Sequence, residues 1–211
     1  MLELDHIVIA CADLDRGEAW LRERLGVPLA AGGRHVGWGT HNRVLQLGGG
    51  AYLELIAADP TQPEPASPRP FMLDEPAMRE RLREAPALVH WLVRSDDLDR
   101  DLAALRYAPG PASAMTRGAL RWRITLPADG RPAGDGLLPS VIAWDVPPGE
   151  RPAGRLPEAG VRLAGVSIEG PAATLERRPA VSAPFPIEWI EAATPRLRAR
   201  LETPAGSVTI G

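Results

Sequence analysis

The sequence predicts an α+β fold made of two tandem βαβββ modules with an extra C-terminal strand segment. This prediction rests first on an internal repeat. When the chain is shifted by 84 residues, residues 6–22 fall on residues 90–106, and eight of the seventeen positions are identical. Average residue usage gives roughly one or two such matches by chance. Each copy also opens with a short apolar run, at residues 4–10 and 87–93, which is typical of a buried strand.

A helix should follow each opening strand. Aspartates come directly after both apolar runs, and Asp15 with Glu18 has the spacing of a capping box. We therefore expect helices to begin near residues 13–15 and 97–99. Leucines at helical spacing give each helix one apolar face. Gly26 should end the first helix, because glycine readily adopts the left-handed conformation found at helix C-termini.

Three further strands should complete each module. Apolar stretches separated by polar, glycine or proline turns indicate where they lie. In chain order the predicted strands span residues 33–40, 42–47, 51–57, 107–116, 120–126 and 139–146. The fourth of these contains prolines and a glycine, which disfavour the interior of a sheet.

These elements divide a single predicted domain into four parts. They are module one (1–58), a connector (59–76), module two (86–148) and a C-terminal extension (161–211). The connector contains six prolines, which favour an extended segment. The extension begins with another strand pattern and ends with a pattern typical of a β-hairpin.

Composition excludes several classes of partner. The net charge is -3 and the basic residues are scattered, whereas a nucleic-acid surface needs clustered cations. The apolar runs are shorter than ten residues, so the sequence predicts no membrane partner. The N-terminus runs straight into a strand pattern without the basic segment and apolar run of a signal peptide, so none is expected. The single cysteine, Cys11, cannot form an internal disulfide and favours a cytoplasmic location.

Several catalytic chemistries are also disfavoured. All 24 basic residues are arginine, so the chain has no amine for a Schiff base and no lysine for a Walker A loop. The glycine-rich stretch at residues 37–42 ends in Asn42, where a dinucleotide-binding motif needs a third small residue. The sequence contains no Gly-x-Ser-x-Gly motif.

The tandem modules, each with a histidine on its first strand, resemble the glyoxalase/bleomycin-resistance/dioxygenase (vicinal oxygen chelate) superfamily. The segments LDHIVI (4–9) and YLELI (52–56) resemble strands of its first module, and GTHN (39–42) resembles its uncharacterised glyoxalase-like branch. The similarity covers residues 1–148 well and the tail loosely. It implies two curved half-barrels that close around a shared cavity. In metal-bearing members, each module supplies one histidine and one carboxylate or glutamine to a divalent ion.

Carried over to this chain, the resemblance implies His6, Glu54 and His90 as metal ligands. The fourth ligand position falls on Ala143, which cannot bind a metal. Three protein ligands still suffice for a catalytic site with an open position, and two histidines with one carboxylate also resemble the facial triad of iron oxygenases. The implied cofactor is therefore a divalent ion such as zinc, nickel, manganese or iron.

Each candidate residue also has a purely structural interpretation. A histidine on a buried strand is usually a hydrogen-bonded core residue, although the repeat gives His6 and His90 equivalent positions. Glu54 is a stronger candidate, because a carboxylate among apolar residues needs a partner. His41 and Asn42, near a strand end, and Trp122, on a predicted strand, are candidates for substrate contacts. The alternatives are a turn or surface role for the first two and a core role for Trp122.

Two functions fit these features. The first is a metal-dependent lyase, isomerase or dioxygenase acting on a small oxygen-rich metabolite, with Glu54 as the catalytic residue. The second is a metal-free protein that binds or sequesters a small molecule, as in the bleomycin-resistance type. The retained His6, Glu54 and His90 favour the enzyme, whereas Ala143 favours the binder. We expect a homodimer, since the superfamily often pairs modules between chains, although both modules of this protein lie in one chain and could close a site alone.

Overall fold

The computed structural model describes all residues, 1–211, and contains thirteen strands and five α-helices. The strands are β1 (Leu2–Ala10), β2 (Ala30–His35), β3 (Thr40–Gln46), β4 (Tyr52–Ala58), β5 (Ala87–Arg94), β6 (Ala112–Arg117), β7 (Leu120–Thr125), β8 (Ser140–Trp144), β9 (Arg162–Gly170), β10 (Val181–Ser182), β11 (Ile187–Glu191), β12 (Arg196–Thr203) and β13 (Gly206–Ile210). The α-helices are α1 (Leu14–Leu25), α2 (Pro76–Glu84), α3 (Leu98–Ala103), α4 (Pro152–Arg155) and α5 (Ala172–Leu175). Short 3-10 helices span Pro70–Met72, Ala133–Gly136 and Pro148–Glu150. None of the helices is long and apolar enough to cross a membrane.

The predicted pair of βαβββ modules is confirmed. Module one runs β1-α1-β2-β3-β4, and module two runs β5-α3-β6-β7-β8. Their strands form one sheet in the order β2-β3-β4-β1-β5-β8-β7-β6, with β10 added beside β1. The opening strand of each module is parallel to its last strand, and the two opening strands pair antiparallel at the centre. This mirrored order relates the modules by a pseudo-two-fold axis, and the curved sheet forms a nearly closed barrel.

A β-bulge precedes the histidine in both opening strands. The pairing of β1 with β5 skips Asp5, between Leu4 and His6. It also skips Val89, because Val8 faces His90 while the next pair joins Ile9 and Leu88. Asp5 and Val89 are equivalent positions of the sequence repeat. A bulge changes the direction of the side chains next to it, so both modules orient their histidine by the same local device.

The two faces of the main sheet belong to different cores. On the outer face, α1 and the C-terminal strands cover a cluster of 31 buried residues that includes Ile7 and Leu53. On the inner face, a second cluster of 14 buried residues includes Val8 and Ile56. Residues that alternate along β1 and β4 therefore point to opposite faces, as the period of a strand requires.

The helices begin where expected, but with a different cap. Asp13 caps α1 and Asp97 caps α3, each accepting a hydrogen bond from the backbone N–H three residues ahead. The capping box expected from Asp15 and Glu18 does not form. Both carboxylates pair with Arg43 on β3 instead. The same aspartate position therefore caps the helix in both copies of the repeat.

The connector is less extended than its prolines predict. It contains the 3-10 helix Pro70–Met72, and the helix α2, which the sequence analysis did not predict, follows it. Phe71 adopts a left-handed backbone conformation (φ 63°) and is buried against the inner face together with Met78 and Leu82 of α2. The connector and α2 thus cover part of the barrel interior.

The C-terminal extension forms a second sheet, in the order β11-β9-β12-β13. The predicted hairpin is confirmed as β12 and β13. The extension is not a third βαβββ module, because β11 lies parallel beside β9 and β12 flanks its other side. One face of this sheet joins the outer core, where the rings of Trp189 and Trp91 meet at 5.9 Å.

Candidate functional site

The inner face of the barrel encloses a cavity of about 40 Å³. Both modules and the connector supply its walls. The lining residues are His6, His35, Trp38, Asn42, Val44, Tyr52, Glu54, Ile56, Phe71, Arg117, Trp122, Ile124, Ile142 and Trp144. Trp38, Arg117 and Trp144 are half-buried and the others are buried, so these three mark the mouth. This volume holds a few water molecules or one small chemical group.

Glu54 on β4 is the only carboxylate that lines the cavity. One of its oxygens lies 3.6 Å from Nε2 of His6, and the other lies 3.8 Å from Nε2 of His35. The side-chain amide of Asn42 donates a hydrogen bond to the second oxygen. Burial alone would raise the pKa of Glu54, but the two histidines and the amide outweigh it and lower the pKa to about 2. Glu54 is therefore a carboxylate at neutral pH.

His6 on β1 lies between two carboxylates. Its Nδ1 donates a hydrogen bond of 2.6 Å to Asp5, while its Nε2 faces Glu54. Burial alone would lower the pKa of His6, but the two carboxylates outweigh it and raise the pKa to about 9. His6 is therefore an imidazolium at neutral pH. The ring of Tyr52 stacks on it at 4.5 Å, which fixes its orientation.

Asp5 connects the two modules at this site. Its second oxygen accepts a hydrogen bond of 2.9 Å from the indole N–H of Trp144 on β8. Because Asp5 occupies the bulge of β1, its carboxylate can reach both His6 and Trp144. The position of the histidine therefore depends on a residue from each module.

Two adjacent glycines orient Asn42. The backbone N–H of Gly33 donates a 2.8 Å hydrogen bond to the side-chain oxygen of Asn42, and Arg117 donates another of 3.2 Å. A Cβ atom at Gly32 would lie 2.0 Å from the same oxygen, so only glycine fits there. With its oxygen held by two donors, the amide presents its NH2 group to Glu54.

His90 does not join His6 and Glu54 as the resemblance implied. Its Nδ1 donates a 3.0 Å hydrogen bond to the carbonyl of Gly136, and its Nε2 accepts one from the backbone N–H of Ser140. Phe71 packs against the ring at 5.3 Å. Burial lowers the pKa of His90 to about 3, so this histidine is neutral. Both ring nitrogens are used to hold the chain, which leaves none for a metal.

The fourth ligand position is Ser140 rather than Ala143. In module one, Val8 faces Glu54 across the parallel pair, and in module two the equivalent Leu92 faces Ser140. Ala143 belongs to the outer core, so its side chain points away from the cavity. Matching residues 140–143 to residues 51–54 placed Ala143 there, because a sequence match does not show the register of each last strand against its first strand.

These donors do not fit the metal that the resemblance implies. Among all residues, no three His, Cys, Asp or Glu side chains are arranged to hold one ion. The two oxygens of Glu54 face different histidines, and one of these oxygens already accepts a hydrogen bond from Asn42. A shared ion needs its donors to converge at about 2.0–2.2 Å from one point. The site contains a fixed ion-paired cluster instead.

The three expected substrate-contacting residues fall in two places. Asn42 and Trp122 line the cavity, and Trp122 packs against Trp144 at 5.4 Å. His41 lies outside the cavity because neighbouring residues of a strand point to opposite faces. It lines a separate groove of about 790 Å³ that also includes Cys11 and Arg43.

Sequence analysis did not identify four polar residues of the site, namely Asp5, His35, Tyr52 and Arg117. A comparison of the repeats contained a signal for Asp5, since its counterpart Val89 is apolar. A lone carboxylate beside the strand histidine needs a partner if it is buried. Nothing local marks His35 or Arg117, because the curvature of the sheet brings them to the cavity.

Comparisons with known proteins agree with this architecture. A family model described as "Glyoxalase-like domain" matches residues 4–182. None of the curated proteins matches the chain. A crystal structure of a hypothetical protein from Staphylococcus aureus is 14% identical over 80% of this chain and 69% of that chain, with a TM-score of 0.50, and shows the same fold.

Solved structures of methylmalonyl-CoA epimerases are also similar. The enzyme from Mycobacterium tuberculosis is 24% identical over 67% of this chain and 86% of that chain, with a TM-score of 0.40. A variant of the Streptomyces coelicolor enzyme, in complex with 2-nitronate-propionyl-CoA, is 21% identical over 69% of this chain and 100% of that chain, with a TM-score of 0.42.

Proposed function

Because the chain belongs to the glyoxalase-like domain family of the vicinal-oxygen-chelate superfamily, we propose that it is a metal-independent enzyme that moves a proton on a small carbonyl compound. One observation carries the proposal. Glu54 is the single carboxylate in a cavity walled by two modules, and it is held beside an imidazolium. A base next to a fixed cation is the pair of groups that proton abstraction beside a carbonyl requires.

In the proposed step, the C–H bond next to the carbonyl breaks and its proton goes to a carboxylate oxygen of Glu54. The electron pair of that bond moves onto the carbonyl oxygen and forms an enolate. The Nε2–H group of His6 faces this region and can donate a hydrogen bond to the enolate oxygen. Return of the proton to carbon gives an isomer or an epimer.

The low pKa of Glu54 shapes this step. A carboxylate with a pKa of about 2 is always ionised at neutral pH, but it is a weak base. A substrate oxygen that takes over the Nε2–H group of His6 removes one of the contacts that lower this pKa. Substrate binding would therefore make Glu54 more basic at the moment when it must accept a proton.

Deuterium exchange tests the proposal without knowledge of the product. Pyruvate, hydroxyacetone and phenylacetone are incubated in D2O with the protein and a metal chelator, and loss of the proton signal next to the carbonyl is followed by NMR. We expect catalysed exchange with at least one of these compounds. Glu54→Gln should slow it on the order of 10²–10⁴-fold, the contribution typical of a general base.

The control is Glu188→Gln, which changes an exposed glutamate on the C-terminal sheet and should leave the exchange rate unchanged. Two results would contradict the proposal. One is exchange that stops when metal is chelated and returns when a divalent ion is added. The other is Glu54→Gln exchanging as fast as the unaltered protein.

A second candidate is a metal-free protein that binds or sequesters a small molecule. The observation that favours it is the aromatic wall of Phe71, Trp122 and Trp144, which suits a flat apolar ligand. Tight binding of such a ligand, without deuterium exchange in any carbonyl compound, would support this second function.

The remaining expectations concern assembly and location. We propose a small-molecule ligand and a homodimer, with a cytoplasmic location suggested by the single cysteine. Both modules lie in one chain and can close the cavity together, so we expect ligand binding not to depend on dimer formation. Light scattering over a dilution series tests the homodimer. Ligand affinity measured at the same concentrations tests whether binding depends on the dimer.

A further inference from the structure

We infer that the natural ligand is a small organic anion with a flat apolar group, and that Arg117 recognises its negative charge. This inference rests on the proposed function, because it names the class of compound that the same cavity takes. The carboxylate or equivalent anionic group would pair with Arg117 at the mouth. The flat group would pack on the tryptophans there, and the small interior would hold only the reacting group.

Arg117 is the only arginine that lines the cavity, and it forms no salt bridge. The one hydrogen bond that its guanidinium donates within the protein goes to Asn42. A guanidinium group has five N–H donors in a planar fork that matches a carboxylate. A half-buried arginine without an acidic partner, at the edge of a cavity, is therefore available to a ligand anion.

The arrangement of the other charges favours an anion at Arg117 rather than at Glu54. Asp5 and Glu54 are both paired with the same imidazolium, His6. The amide of Asn42 lies between Arg117 and Glu54, bonded to both, so the guanidinium and the carboxylate are not paired directly. The cation at the mouth is thus the one cavity charge that has no counter-charge in contact with it.

Glycine makes room for this arginine. A Cβ atom at Gly33 would lie 2.6 Å from Cδ of Arg117, closer than side-chain atoms approach one another. The arginine comes from β6 of module two and the glycine from β2 of module one, at the two ends of the barrel sheet. The charged group is therefore placed where the barrel nearly closes, and its approach depends on the absence of a side chain.

The remaining lining residues divide by chemistry. Module one supplies the polar side chains His6, His35, Asn42, Tyr52 and Glu54, together with the apolar Val44 and Ile56. Module two supplies an apolar wall, with Trp122, Ile124, Ile142 and Trp144, and Arg117 is its one charged member. Trp38, from the turn before β3, faces the mouth. A ligand that satisfies both walls needs a charged or polar end and a flat apolar part.

Three probe compounds test the inference by calorimetry at neutral pH. Phenylacetate carries both features, phenylacetamide has the same shape without the charge, and acetate has the charge without the ring. We expect phenylacetate to bind about 10-fold more tightly, or better, than each of the others, since one charge-assisted bidentate contact gives at least that factor. Equal affinity for phenylacetate and phenylacetamide would overturn the inference, as would no binding of phenylacetate at millimolar concentration.

Two variants locate the charge. Arg117→Gln should weaken phenylacetate binding about 10- to 100-fold and leave phenylacetamide unchanged. Gly33→Ala keeps the charge but displaces it, and should weaken phenylacetate binding in the same direction. The matched control is Arg123→Gln, which removes an exposed arginine from the adjacent strand β7 and should change neither affinity. Circular dichroism checks that each variant folds. If a variant does not fold, the comparison of the three probes on the unaltered protein still tests the inference.

These experiments distinguish a failure of the ligand-class inference from a failure of the proposed function. Charge-selective binding through Arg117 without deuterium exchange would support the proposed ligand class and contradict the proposed proton transfer. Deuterium exchange that depends on Glu54, with no preference for charged probes and no effect of Arg117→Gln, would support the reaction and overturn the ligand class.

Discussion

The two strand histidines occupy equivalent positions but carry different charges. His6 has Asp5 in the preceding bulge and Glu54 opposite, so it is held as a cation. His90 has Val89 in its bulge and Ser140 opposite, so it is held neutral by backbone groups. The polar chemistry is thus concentrated in module one, and the copy in module two stabilises the fold. The histidine is the same in both modules, and the difference in charge comes from two of its neighbours: Asp5 in place of Val89, and Glu54 in place of Ser140.

The neutral state of His90 predicts a pH effect on stability. Its pKa is lowered from 6.5 to about 3 on folding, so below pH 6.5 the unfolded chain takes up a proton that the folded chain does not. Stability should therefore fall as the pH drops from 6.5 towards 5, by up to ~1.4 kcal/mol per pH unit from this residue. His6 opposes this slope near pH 6.5, where its unfolded imidazole is only half protonated, and adds little towards pH 5, where it is protonated in both states.

His90→Gln keeps a donor and an acceptor but does not titrate. We expect a less steep loss of stability between pH 6.5 and 5, measured as the urea midpoint at each pH. The slope that remains comes from the buried His35, whose pKa is also lowered, and near pH 5 from Glu54 as well. An unchanged slope in the variant would show that His90 is not buried in its neutral form.

The charged state of His6 predicts a titration shift. Asp5→Asn removes one of the two carboxylates that raise the pKa of His6, so this pKa should fall from about 9 towards 6.5. NMR titration of the imidazole C–H signals measures it directly. Asp96→Asn, at an exposed aspartate that does not line the cavity, is the control and should leave it unchanged. A His6 pKa near 9 in Asp5→Asn would assign the shift to Glu54 alone.

At the scale of single elements, one aspartate position begins the helix in both modules. Asp13 accepts a 2.9 Å hydrogen bond from the backbone of α1, whereas Asp15 is 85% exposed and contacts only Arg43. Asp13→Ala should therefore cost roughly 0.5–2 kcal/mol of unfolding free energy, as loss of a helix cap does. Asp15→Ala should cost less than about 1 kcal/mol, because it removes a surface ion pair. Chemical denaturation measures both, and a larger loss at Asp15 would contradict the cap assignment.

The strand and helix pattern could be predicted because it depends on local signals. Apolar runs, helix-capping aspartates and the repeat located both βαβββ modules. The register between strands could not be predicted, since it depends on how neighbouring strands are offset in the curved sheet. For this reason the sequence placed Ala143 at the fourth ligand position, which Ser140 occupies in the structure. Of the predicted site residues, His6, Glu54, Asn42 and Trp122 line the cavity, and their roles stay predictions. Residues brought in by bulges or by barrel closure were beyond local patterns.

At the scale of the whole molecule, the C-terminal sheet takes part in the main core. Its strands supply seven of the 31 buried residues of the outer cluster, beginning with Leu163 and ending with Ile210. The family model ends at residue 182, so β11, β12 and β13 lie beyond it although they cover the same core. A surface shared in this way couples the two sheets, because neither can lose its partner without exposing apolar side chains to water.

This coupling predicts that the chain unfolds as one unit. Leu201 on β12 is fully buried in the shared cluster, so Leu201→Ala should cost about 2–5 kcal/mol. If the extension were an independent domain, the loss would affect only its own strands. We expect instead that hydrogen exchange accelerates equally in β1 and β9, since both are protected by the same global transition. The control is Arg200→Ala, which changes the exposed neighbour on the same strand. It should change the free energy of exchange in β1 and in β9 by no more than about 0.5 kcal/mol. Faster exchange confined to β9, with β1 unchanged in Leu201→Ala, would divide the chain into two domains.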